Sequence, residues 1–181
     1  CEWPDAPSVP GSGVFRKGET MIRYLKIVLI VFVGLQGLFY FISNAVNWEY
    51  AQMAVSAVLS QADSPAYPNL VVPAITSPLL VKLALIGIMT GELLVGLVCL
   101  KGAFDMWKMA DGPVDGFNAA KTWAIAGCCL ALIVWFGIFQ VFGAALLQMW
   151  QGQVGIGSFE GAFMYHAASG IILIFVNRKD D

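Results

Sequence analysis

The sequence predicts an all-α membrane protein: a four-helix transmembrane bundle with both termini cytoplasmic and an outer loop or interfacial helix between spans one and two. Three observations predict it. First, 59% of the 181 residues are hydrophobic and 12% are charged, with a mean hydropathy of +0.75. Soluble domains carry roughly 25% charged residues, so this composition cannot furnish a water-facing surface. Second, the apolar residues gather in four runs, residues 22–46, 79–103, 119–149 and 156–176, each long enough to cross a bilayer, which takes about 20 residues. Third, the basic residues sort by side. Arg23, Lys26, Lys101, Lys108, Lys121, Arg178 and Lys179 fall on one face of that arrangement and Lys82 on the other, which by the positive-inside rule puts both termini in the cytoplasm.

The elements follow in order. Residues 1–20, "CEWPDAPSVPGSGVFRKGET", are rich in Pro, Gly and Ser and read as a disordered or non-native leader, with Met21 as the start and residues 21–181 as the membrane domain. A lipoprotein acylated at Cys1 is the alternative, but it would hold outside the membrane a tail whose Arg16 and Lys17 adjoin Arg23 and Lys26. Span one is too long for a cleavable signal. After it, "YAQMAVSAVLSQA" has helix formers with Met53, Ala54, Ala57 and Val58 at helical spacing, an interfacial helix. The following "DSPAYPNLVVPAITSP" holds four prolines and must be loop. This outer segment is expected to cover the bundle as a lid, with partner docking or gating as the alternative.

Ser77 and Pro78 open span two as N-cap and first helical residue. Gly112, Pro113 and Gly116 break the chain before Asn118, which is expected to cap span three. Span three is long enough to tilt or to project outward through "LLQMWQGQ". Trp48, Trp107, Trp123 and Trp150 lie near span ends, where indoles settle, and span four stops at "NRKDD".

Several functions are excluded by what is absent. A net charge of −2 leaves no basic field for nucleic acid. Of the four cysteines, Cys99, Cys128 and Cys129 lie in apolar runs and no CxxC is formed, so they read as packing residues. No HExxH, P-loop or GxSxG occurs. A single histidine, His166, cannot supply both ligands of a bis-histidine haem. The carboxylates expected to lie outside the spans, such as Asp63 and Glu160, are solitary, and "GQVGIG" lacks the strand and helix a nucleotide loop requires, so it reads as a turn. The expectation is a non-enzymatic protein with no metal and no cofactor.

What remains are polar residues inside the spans, the default functional candidates because a charge near the bilayer centre costs about 2.5–3.5 kcal/mol. Gln36, Glu92, Gln140 and His166 lie near mid-depth and are expected to form an intramembrane polar cluster. Glu92 is about 20 Å and His166 about 15 Å from the outer ends of their helices. Three readings stand for Glu92: a neutral residue hydrogen-bonded to Gln36, Gln140 or His166; a proton-titrating pair with His166; or a group facing a partner's helix. Gly87 and Gly91 form a GxxxG beside it, where a second helix, within the chain or from a partner, can approach.

From Met21 onward the chain resembles the bacterial small integral membrane proteins grouped as DUF2165. The resemblance rests on "IRYLKI" opening span one, "AITSP" before span two, "LLVGLVCLKGAFDMW" after Glu92, "FNAAK" before span three and "MWQGQ" after it. It implies a four-span inner-membrane protein and carries no activity with it. The chain departs from that pattern after Ser77-Pro78, where "LLVK" stands in place of a His, and near Met164, where an Arg is often found, so roles built on those side chains do not transfer. The expected function is an uncharacterised, non-enzymatic protein of the bacterial inner membrane that serves as an accessory subunit of a membrane assembly. The alternative is a small proton-coupled transporter or channel using Glu92. The lipid bilayer is its medium, and a membrane-protein partner or a homo-oligomer is open.

Overall fold

The computed structural model describes residues 12–62, 66, 67 and 69–180, with side chains from residue 18 onward. Helix is the only regular structure among them. α1 runs Ser12–Val46, α2 Trp48–Ser60, α3 Pro78–Lys108, α4 Val114–Ala120 and α5 Thr122–Leu132. A π-helical segment, Ile133–Leu146, continues α5, a single 3-10 turn spans Met149–Gln151, and α6 runs Gln153–Asn177. Four stretches are long and apolar enough to cross a membrane: Gly18–Val46, Pro78–Lys108, Val114–Leu146 and Gln153–Asn177. Helix is what hydrocarbon demands, since it satisfies every backbone N–H and C=O within its own segment.

The boundaries correct several expectations. Pro78 does open α3, and Val81 N–H donates to the Ser77 carbonyl at 3.0 Å, but the Ser77 side chain makes no capping bond. Asn118 is not a cap: the helix starts at Val114, directly after Pro113, and Asn118 lies inside α4. The turn expected over residues 152–157 is confined to Gly152, because α6 begins at Gln153. Residues 12–20 continue α1 as helix, and residues 1–11, Cys1 and Asp63 lie outside the described residues. The helix expected after span one is α2, followed by the expected loop; Met53 and Ala57 are exposed on it.

α1 packs against α3, α3 against α5, and α6 against α5 and the π segment. Small residues set these approaches, as they do where no hydrophobic force drives helices together. A Cβ added at Gly37 would lie 2.7 Å from the Glu92 carbonyl oxygen and 2.9 Å from the Gly96 nitrogen. At Gly127 it would meet the Cys99 backbone nitrogen at 2.9 Å. Of the expected GxxxG pair, Gly91 packs against Val134, whereas Gly87 has nothing within 4 Å and is exposed. The close helix contacts are made instead by Gly37 and Gly96 on α1 and α3, and by Gly102 and Gly127 on α3 and α5.

The segment after α6 is tied to α1 and to the start of α5 at one end of the bundle. Lys26 Nζ donates to Asp180 Oδ2 at 2.8 Å and to the Arg178 carbonyl at 3.0 Å. Lys121 pairs with the same carboxylate and donates to the Arg178 carbonyl at 2.7 Å. Asn118 exchanges bonds of 3.1 and 3.0 Å with the Asp180 backbone. Burial works to raise the Asp180 pKa, but the hydrogen bonds and charges of Lys121 and Lys26 outweigh it and hold the carboxyl below its ordinary range. Nearby, Arg23 ties down the turn after α3 by donating to the Ala110 and Gly112 carbonyls at 3.2 and 2.9 Å, over the Phe117 ring.

Candidate intramembrane polar site

Glu92 sits on α3 with 2% of its surface exposed. Its two carboxylate oxygens accept from one nitrogen, Asn44 Nδ2, at 3.2 and 2.9 Å. Asn44 lies near the end of α1, which on depth alone is too far out to meet Glu92. Side-chain direction closes the gap. Every Cα–Cβ bond tilts toward its helix's N-terminus, and α1 and α3 run in opposite directions, so Asn44 leans inward while Glu92 leans outward. Gly37 supplies the remaining closeness by letting the two backbones touch beside Glu92.

One turn before Asn44, the Tyr40 hydroxyl bonds that of Tyr165 on α6. Trp135 of the π segment meets both rings edge-on, at centroid separations of 6.3 and 5.7 Å. Trp135 is 1% exposed, so this aromatic triad is the anchor that joins α1, the π segment and α6 beside the carboxylate.

The other members of the expected cluster are engaged elsewhere. Gln140 Nε2 donates to the Phe159 carbonyl at 3.0 Å. His166 bonds through Nδ1 to the Ala162 carbonyl, one turn back on its own helix, at 2.9 Å. A carbonyl can only accept, so the Nδ1 position carries the proton, and the ring packs edge-on against Phe136 and Phe163. Gln36 is half-buried and makes no bond to Glu92. Glu92, Gln140 and His166 therefore do not form one cluster: Glu92 bonds Asn44 of α1, whereas Gln140 and His166 are engaged by backbone carbonyls of α6. Asn44 is the partner that depth along the sequence missed; its signal was its place one helical turn after Tyr40, on the face that Gly37 presents to α3.

Chemically, the pair is a hydrogen bond between a carboxylic group and an amide that does not titrate. Among the described residues no three His, Cys, Asp or Glu side chains come together as metal ligands. The thiols of Cys99 and Cys128 meet across α3 and α5, both fully buried, as packing residues do.

No curated protein and no solved structure matches the chain. Residues 22–179 match the family described as Predicted small integral membrane protein (DUF2165). With four apolar helices of spanning length on the same residues, the chain belongs to the DUF2165 family of multi-pass integral membrane proteins.

Proposed function

We propose that the protein is a non-enzymatic accessory subunit of a bacterial inner-membrane assembly, seated with both termini in the cytoplasm and docked to its partner through α6. Glu160 carries this reading. It lies about 10 Å along α6 from Gln153, inside the fourth candidate span, and is exposed with no hydrogen bond or ion pair among the described residues. Gly157, Met164, Ala168 and Ile171, all exposed, continue its face at helical spacing. Only 17% of the apolar stretch of α6 is buried, against 33% in α1 and α3. A carboxylate on a lipid-facing stripe is costly until it is paired, and a partner helix offering Lys, Arg or an amide at that level would pair it. A twofold contact through this face would set Glu160 against its own copy, which favours a different chain over a homodimer.

The alternative, proton-coupled transport through Glu92, has less support: its hydrogen bond goes to an amide, and His166 and Gln140 are spent on backbone carbonyls. Purification from native membranes in mild detergent, followed by mass spectrometry and an absorbance spectrum to exclude haem, tests the subunit reading. The wild-type chain should bring down a stoichiometric membrane protein that Glu160→Leu loses. A bare monomer, or equal recovery with both chains, overturns it. If Glu92→Gln abolished pH-dependent flux in liposomes, the transport reading would replace it.

A further inference from the structure

α2 presents an apolar stripe to the bundle, Ala51, Ala54, Val55, Val58 and Leu59, spaced as one helical face should be. Yet no residue of α2 is buried. The reason is a cavity of about 310 Å³ between α2, α3 and the π segment, closed at one side by Ser158 of α6. That volume is at the lower edge of small-molecule sites, which run from about 300 to 1,000 Å³. Its far wall is made by the π register. Ile138 and Leu147 are nine residues apart and would lie on opposite sides of a helix with 3.6 residues per turn; the wider i→i+5 winding through Leu146 brings them to one side with Phe139, Phe142 and Gly143. The lining side chains are apolar except for Ser158 and Asn44, and the Ser158 hydroxyl donates to the Val154 carbonyl.

Asn44 gives the cavity its chemistry. Its amide nitrogen is committed to Glu92, while its carbonyl oxygen accepts no hydrogen bond among the described residues. The group it offers is an acceptor, so it favours a donor and disfavours an anion. We propose that this cavity is a binding site for a single-chain amphiphile without negative charge, an alkyl or prenyl chain whose head is a hydroxyl or an ammonium group, with the chain lying along α2 and the π segment and the head donating to Asn44. The site is independent of the docking face on α6.

The test uses the whole protein in lipid nanodiscs and four photoactivatable probes of equal chain length: an alcohol, an amine, a carboxylate and the plain alkane. Crosslinks are mapped by peptide mass spectrometry. The alcohol and amine should label the peptides holding Val58 and Phe142 about fivefold more than the carboxylate or alkane, the size expected of one hydrogen bond. Ala54→Trp, which fills the cavity without touching Glu92, should abolish that labelling and leave labelling at exposed Leu97 of α3 unchanged. Asn44→Leu should remove the preference for the alcohol but keep the alkane signal. Equal labelling by all four probes, or labelling that survives Ala54→Trp, overturns the assignment.

Discussion

At the scale of single residues, the Glu92–Asn44 pair shows how a carboxyl group is tolerated in an apolar helix. One amide nitrogen serves both of its oxygens, so the pair hangs on Asn44 alone. Asn44→Ala should strand a buried carboxyl and destabilise the bundle by about 1–3 kcal/mol, read as a lowered melting temperature in detergent. Glu92→Gln keeps an acceptor for Asn44 and should cost less than about 1 kcal/mol. Equal losses in the two variants would mean that Glu92 is held by something other than this bond. The pair was not legible from depth along the sequence because two residues at different levels meet only when their helices run antiparallel and their side chains tilt toward one another. Glu92 itself was legible, since a carboxylate among leucines and glycines stands out in any reading.

At the scale of elements, glycine position decides which helices touch. The four spans were legible because hydrocarbon allows little besides helix and fixes its length. Which small residues mattered was not, because GxxxG spacing marks a face without saying whether a neighbour occupies it. Gly87 faces open space and Gly37 faces the α3 backbone. Gly37→Ala should therefore force α1 from α3 and cost about 1–3 kcal/mol, the usual range for overpacking, whereas Gly87→Ala should be neutral or stabilise by up to about 1 kcal/mol through helix propensity. Thermal unfolding of the two variants side by side checks the pair, and a larger loss at Gly87 would contradict the packing. The π register of Ile133–Leu146 was equally hidden: its residues are as apolar and aromatic as any buried α-helix, and periodicity does not show where a helix widens. The register matters because it separates the aromatic triad from the cavity wall along one segment.

At the scale of the whole molecule, the bundle is closed at one end by charge. Lys26 and Lys121 entered the orientation argument as basic residues that flank spans, yet both are 2% exposed and converge on Asp180. They tie Arg178 and Asp180 to α1 and to the start of α5. Because Asp180 is held below its ordinary pKa of 3.8 by these partners, its contribution to stability is complete above about pH 4 and is lost as pH falls through the lower, folded value. Asp180→Asn should remove that contribution at neutral pH, at a cost of about 2 kcal/mol. This is below the 3–5 kcal/mol seen when a buried pair loses one partner, because both lysines keep the Arg178 carbonyl as an acceptor. The difference in melting temperature between the wild-type chain and Asp180→Asn should be constant from neutral pH down to about pH 4 and then shrink toward zero, as protonation of the wild-type carboxyl does what the substitution has already done. A difference already absent at neutral pH would show that residue 180 is held by its backbone bonds to Asn118 and not by the two lysines.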